Sequence, residues 1–336
     1  MRINRLHKTL IIVFVLAVLG YFVPVDYYVI RPSRAVDLSG LIAVESADVN
    51  GDENDNGAFY LLTVVQNRAN FYSAVYGYFH PHMNLNPRER VIPRDMDEDQ
   101  YRELLREHMN ESQHIAQVVA MRRAGYEVDI VSDGVEVIDF LEDAPAEGYL
   151  QTGDIISHVE GKNVVLASEV PLLIQDKPVG KEITLEIVRN SNEIALSVPT
   201  GPHPDDEEIP FLGIYIQTLS WEPVVPVKIT MDTGNISGPS AGLMFVLEIM
   251  NQITADDLTG GKLIAGTGTV DLDERVGRIG GVIQKVIAAE KDNIDYFLLP
   301  SENYEEARKA ARDIKLVPVS ELQEALDFLS KLECDD

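Results

Sequence analysis

The most apolar stretch of the chain runs from Leu10 to Val23 without a charge, and Arg2, Arg5 and Lys8 precede it. With Pro24 and Val25 the run reaches about sixteen residues, just under the ~17–25 of a membrane-spanning helix. A cleaved secretory signal would end on small residues in an A-x-A arrangement, but Tyr21, Phe22, Val23, Pro24 and Tyr27 occupy that place. The pattern predicts an uncleaved anchor over 9–25. The basic residues ahead of it put residues 1–8 in the cytoplasm and the bulk of the chain outside, as a single-pass protein of the cell membrane.

Beyond the anchor the period shortens. Leu41 to Val44 and Phe59 to Val65 are rich in branched and aromatic residues and predict strands. Between them, Asp48, Asn50 and Asp52 imitate the start of a calcium loop. Position six is Glu53 rather than glycine and position twelve is Phe59 rather than glutamate, so a polar hairpin loop is the better reading. Residues 70–96 carry many aromatics and prolines and give no clear element. Residues 97–123 then predict a helix, acidic at its start and apolar at Leu104, Leu105, Ile115, Val118 and Val119. The strands within 36–120 have no core of their own and are expected to join a later sheet.

A second β-rich region covers 124–200, in strand-turn-strand order from Gly134 to Arg189, with a short helix expected over 167–175. The acid- and proline-rich connector Gly201 to Glu208 separates it from 209–331. There, strands at 211–217 and 224–231 lead to a helix over 240–252 that is apolar on nearly every side. Further strands at 263–269, 295–299 and 314–317 alternate with helices at 304–312 and after Ser320. The fold class expected is α+β.

The net charge of −27 over 336 residues changes the picture by exclusion. Phosphate backbones need basic patches, and no Lys/Arg cluster of that kind is present, so nucleic acid is not an expected partner. The single cysteine, Cys334, rules out an internal disulfide. His80, His82, His108 and His114 lack metal-ligand spacing, and no metal or other cofactor is expected.

Chemistry concentrates in Asp232 to Met244, a small-residue turn running into the apolar helix. Gly238 permits backbone conformations closed to other residues. Pro239 suits a first helical turn. Ser240 then lies among the free N–H groups of a helix start, beside Ala241 and Gly242, which favours a developing oxyanion. The backbone N–H groups of Gly238 and Ala241 are the candidate oxyanion donors. Such a serine needs a base. Downstream, Gly280 and Gly281 open a helix whose stripe is Val282, Val286 and Ala289, and Lys285 falls on or next to it. A lysine among Val, Ile and Ala loses hydration, which lowers its pKa towards what a general base requires.

Gly238-Pro239-Ser240-Ala241-Gly242, followed by Thr267-Gly268, Ile279-Gly280-Gly281 and Lys285, closely resembles the signature of Lon-type Ser–Lys proteases, the S16 peptidase family. The resemblance covers roughly 224–329. It implies Ser240 as nucleophile, Lys285 as base and Thr267 as active-site support that orients the lysine. Ser237 stands where the cytosolic, ATP-driven members usually carry an acid. No G-x-x-x-x-G-K-[ST] phosphate loop occurs in the chain, so no ATP dependence is expected.

Residues 126–199, with Thr152-Gly153-Asp154-Ile155-Ile156 and Glu160-Gly161-Lys162-Asn163, resemble a bacterial PDZ domain. That resemblance implies capture of an extended peptide beside a strand, with Gly125, Tyr126, Glu127 and Val128 as the candidate carboxylate loop. The layout of anchor, PDZ and Lon-type region is similar to the membrane-anchored SepM- and YlbL-type proteases of Gram-positive bacteria. That likeness implies cleavage of exported peptides or proteins, pheromone precursors among them. A homo-oligomer is a further possibility, and a non-catalytic membrane-tethered scaffold is the alternative reading.

Overall fold

The computed structural model describes residues 24–45, 57–80, 82–92, 96–141, 144–167, 169–174, 177–203, 206–254 and 257–332, with isolated positions at 14, 18 and 20–22. The calcium-like stretch, Cys334 and most of the expected anchor lie outside these residues. Among the described residues no helix is long and apolar enough to cross a membrane. Pro24 and Val25 belong to a strand instead of the expected anchor, because Pro24 pairs with Asn70 in an antiparallel ladder.

Two compact units divide the chain, one from residues 1–127 and 225–336, the other from 128–224. The first unit opens with β1 (Pro24–Asp37), β2 (Ile42–Val44), β3 (Ala58–Asn70), α1 (Phe71–Phe79), β4 (Asn84–Pro87) and α2 (Glu98–Arg123). Asp97 starts α2 with a capping box: its carboxylate accepts the N–H of Asp99 and Gln100, and Gln100 returns a bond to the Asp97 N–H.

The second unit holds β5 (Asp129–Ser132), β6 (Val135–Phe140), β7 (Ile155–Val159), β8 (Lys162–Asn163), α3 (Glu169–Ile174), β9 (Glu182–Arg189), β10 (Asn192–Pro199), β11 (Gly201–His203), β12 (Asp206–Phe211), β13 (Ile214–Thr218) and β14 (Trp221–Val224). The chain then returns to the first unit with β15 (Ile229–Met231), α4 (Gly242–Ile253), β16 (Leu263–Gly266), β17 (Thr269–Val270), β18 (Val276–Gly277), α5 (Val282–Lys291), β19 (Tyr296–Pro300), α6 (Tyr304–Ala307), β20 (Lys315–Val319) and α7 (Leu322–Leu332).

The central sheet of the first unit has the order β20-β19-β16-β3-β1-β4. β3, β16, β19 and β20 run parallel, and β1 and β4 add antiparallel pairs at one side. A parallel sheet must be buried on both faces, and the alternation of side chains supplies this. Phe59, Leu61, Ile264 and Leu298 point into a core shared with α2, α4 and α7. Leu62, Ala265, Phe297 and Leu299 point the other way, into a core shared with α5 and the Ala307 region. The apolar α4, buried from Gly242 to Met250, is the centre of the first layer.

β3 pairs with β16 only from Ala58 to Leu61, whereas β1 accompanies it as far as Asn70. From Leu62 onward one edge of β3 is therefore unpaired among the described residues. The expected helix over 304–312 is shorter than its pattern, ending as α6 at Ala307. The backbone N–H groups of Arg312, Asp313 and Ile314 turn instead onto the Glu290 carboxylate.

The second unit is built on an antiparallel sheet of order β10-β9-β7-β6-β13, with β8 on β7. β9 alternates strictly, with Ile183, Leu185 and Ile187 inward and Glu182, Thr184 and Glu186 outward, as a one-sided sheet requires. Asp154, in the Thr152-Gly153-Asp154 turn, is buried and takes both Nε (2.7 Å) and Nη2 (2.6 Å) of Arg189. Two of the four candidate carboxylate-loop residues, Gly125 and Tyr126, lie in the turn that follows α2. Their N–H groups donate to the carbonyls of Arg122 and Met121, closing the last turn of α2, with Gly125 at φ +87°. Glu127 ends the first unit, and Val128 is buried at the start of the second.

Candidate active site

β16 ends at Gly266, and Thr267 follows just beyond its carboxyl end. Such a strand end is where side chains from the two helical layers can meet. Ser240 approaches from the α4 layer. It lies in a 3₁₀ turn, Pro239–Ala241, that precedes α4 and is introduced by Gly238 at φ +92°. Lys285 approaches from the other layer, one turn into α5, whose N-cap is Gly281 at φ +69°.

The two side chains meet. Lys285 Nζ is 2.9 Å from Ser240 Oγ and 2.6 Å from Thr267 Oγ1. Thr267 Oγ1 donates in turn to the Ser240 carbonyl at 2.9 Å, and the Gly268 N–H donates to the same carbonyl at 2.9 Å. The single hydroxyl proton of Thr267 is thus committed, so towards Lys285 it can only accept. A neutral amine held by that bond has its lone pair free for the Ser240 hydroxyl.

Lys285 is 2% exposed, and burial alone pushes its pKa down to about 7. No carboxylate contributes, so the neutral form arises from desolvation rather than from a relay of charges. Ser240 and Lys285 line a cavity of about 490 Å³ together with Gly238, Pro239, Ala241, Met109 and the Leu62–Val65 segment of β3. Gly242 starts α4 behind the serine; a Cβ there would lie 3.0 Å from Ser112 Oγ and from the Val270 nitrogen, which only glycine avoids.

Of the two expected oxyanion donors, Gly238 is withdrawn. Its N–H donates to the Leu105 carbonyl of α2 at 2.9 Å. Pro239 has no N–H, and the Gly242 N–H closes the 3₁₀ turn on the Pro239 carbonyl; the amide of Ser240, in the first turn, lies next to the hydroxyl and joins Ala241 as a candidate donor.

Three parts of the site carry no sequence motif. Ser112 of α2 donates from Oγ to the Pro239 carbonyl at 3.2 Å. Asn303, fully buried, exchanges two bonds with the backbone of Ile279, at 2.9 and 3.0 Å, and so fixes the turn that launches α5. The open edge of β3 forms one wall. The capping-like residue types of Ser112 and Asn303 are common, and only the tertiary fold gives them partners. Among the described residues no cluster of His, Cys, Asp or Glu could hold a metal ion.

Residues 223–331 match the sequence family described as Lon protease (S16) C-terminal proteolytic domain. Over those residues the chain is similar to Lon-type proteolytic domains. A Lon protease of Xanthomonas oryzae pv. oryzae is 35% identical over 95 residues, 27% of this chain and 11% of that protein. A protein of Pseudomonas putida (strain W619) named as a probable periplasmic serine endoprotease, DegP-like, is 37% identical over 75 residues, 22% of this chain and 16% of that protein. The chain thus spans a small fraction of these relatives' lengths. The crystal structure of the PDZ domain of an SdrC-like protein from Listeria innocua is 27% identical over 25% of this chain and 93% of its own, with a TM-score of 0.23. The Lon-type match contains Ser240, Thr267 and Lys285, while Ser112 and β3 come from the part of the first unit that precedes it in sequence.

Proposed function

We propose that the chain is an ATP-independent serine endopeptidase whose nucleophile is Ser240 and whose general base is Lys285. The observation that carries this reading is the 2.9 Å contact between a buried lysine without a counter-charge and the hydroxyl of a serine opening a helix. Neutral Lys285 takes the Ser240 proton as Oγ attacks the scissile carbonyl. The oxyanion that forms faces the Ser240 amide, and the protonated lysine then gives its proton to the leaving amine. Water, deprotonated by the same lysine, releases the acyl group from Ser240.

The open edge of β3 from Leu62 to Val65 supports an extended substrate, whose backbone would pair with it as an added strand. With no phosphate loop in the sequence, nothing in the chain drives unfolding, so the substrate arrives already unstructured. The charge-free run Leu10 to Val23 supports anchoring in the cell membrane, with both units on the outer side and exported peptides or proteins as substrates. For the second unit the Thr152–Ile156 and Glu160–Asn163 segments support a PDZ role in recruiting such peptides.

The test is incubation of the full chain in detergent with an unstructured protein and a peptide library, without nucleotide, read by mass spectrometry. Wild type should cleave, whereas Ser240→Ala and Lys285→Ala should lose at least about 10³-fold in rate, as expected when nucleophile or base is removed. Cleavage that persists in both variants would refute the dyad.

A further inference from the structure

The first unit carries an aromatic face that the proteolytic reading does not use. Helix α1 contains no charged residue, and only Gly77 within it is buried, seated against Val29 of β1. A capping box between Asn70 and Ser73 fixes its start, so the helix is a built element rather than a frayed end. Its large side chains turn outward: Tyr78 and Phe79 are 76% and 78% exposed, and Phe71, Tyr72, Val75 and Tyr76 are also exposed. A helix with this composition has no reason to face water on so many sides, and contiguous patches of this kind mark interaction surfaces.

Two further observations select the partner. First, the end of the apolar N-terminal run comes to this helix. Gly20 lies against the ring of Tyr72, with an added Cβ only 3.3 Å from Tyr72 Cε2, and Tyr21 and Phe22 beside it are 62% and 73% exposed. Tyrosine, with an apolar body and a polar tip, is the residue type enriched where hydrocarbon meets headgroups.

Second, the neighbouring surface reverses the sign of the whole chain. Just past α1, His82 lines a cleft of about 690 Å³ with Ile283, Ile287 and the cations Lys291, Lys309 and Arg312, against one acid, Glu290. None of the three cations makes a salt bridge among the described residues, while the Glu290 carboxylate accepts the N–H groups of Arg312, Asp313 and Ile314. On a chain of net charge −27, a cleft with three cations to one acid, following an uncharged aromatic helix in the chain, matches an anionic headgroup layer.

We infer that α1 lies in the lipid–water interface of the membrane, with its aromatic rings at headgroup depth and the Lys291, Lys309 and Arg312 cleft against anionic lipid. This rests on the anchoring proposed above and adds to it. The Lon-type unit would then be held against the bilayer by a second contact rather than swinging on a single tether.

The experiment places an indole at the face: the full chain carrying Phe79→Trp is reconstituted with phosphatidylcholine vesicles, with and without phosphatidylglycerol. The lipids are brominated near the headgroup, and the unsubstituted chain supplies the Trp221 background. Co-flotation with vesicles reads anchoring, and bromine quenching reads the face. The expected result is flotation, a blue shift and loss of the introduced emission, with Lys309→Glu and Arg312→Glu together reducing that loss on phosphatidylglycerol vesicles. Flotation with an indole that stays unquenched and solvent-exposed would overturn this inference and leave anchoring intact. A blue-shifted but unquenched indole would also overturn it, if Tyr78→Ser with Phe79→Ser turned a sedimenting dimer into a monomer; the face would then belong to a second copy. A chain that does not float would overturn anchoring and face together.

Discussion

Lys285 owes its basicity to packing, because desolvation is the sole cause of its lowered pKa. The pH dependence follows. In the proposed role of general base Lys285 is competent only when neutral, so kcat/KM should rise about tenfold per pH unit below 7 and level off above it. Folding stability carries the same signature with a definite sign. Between about 7 and the ordinary lysine range, the unfolded chain holds a proton that the folded chain does not, so stability falls as pH drops through that window and is flat below it. Lys285→Met should remove the slope in denaturant titrations and stabilise the protein at pH 7 by on the order of 2 kcal/mol, while abolishing activity. An unchanged slope would mean that the lysine is solvated. The residues of this centre were legible because each motif is contiguous and small-residue-rich. Asn303 was not, since an asparagine opening a short turn has no signal until its two bonds to Ile279 are seen.

At the scale of elements, α2 grips the nucleophile turn at two points, the Leu105 carbonyl on Gly238 and Ser112 Oγ on Pro239. This clamp sets where the Ser240 amide points. Ser112→Ala should therefore lower kcat about tenfold with KM nearly unchanged, and shift Tm by only a few degrees, the loss of one neutral hydrogen bond. A Tm loss matching the activity loss would make the bond merely structural. The helical periods of α2 and α4 were readable to within a residue or two. β1 was not fully readable, because its first residues continue the apolar run before them, and pairing with Asn70 decides the boundary rather than hydropathy. Within the candidate carboxylate loop, Gly125 shows a related effect. Gly125 looked like a binding turn but closes a helix, a difference set by which carbonyls its neighbourhood leaves open.

For the whole molecule, the second unit is joined to the first through one antiparallel ribbon of its own, in which Asp129 lies opposite Val224 and Ile130 opposite Pro223. Each unit also has its own apolar core. Replacing Val131 to Glu222 with an Asn-Gly turn should leave a folded first unit that unfolds cooperatively in calorimetry. It should still cleave unstructured peptides without ATP, and would lose only substrates recruited through the excised unit. Failure of that variant to fold would show that the first unit depends on the second.

The pairing of β3 with β16 joins Ala58 to Leu263, and β20 completes the same sheet from Lys315 onward. Such distant partners form late, because a long loop must close before any contact rewards it. Until they do, no strand end exists at which Ser240 and Lys285 can meet, and the lysine stays hydrated and protonated. Until the sheet closes, the chain carries a disarmed nucleophile. The proteins around it while it folds are protected by topology.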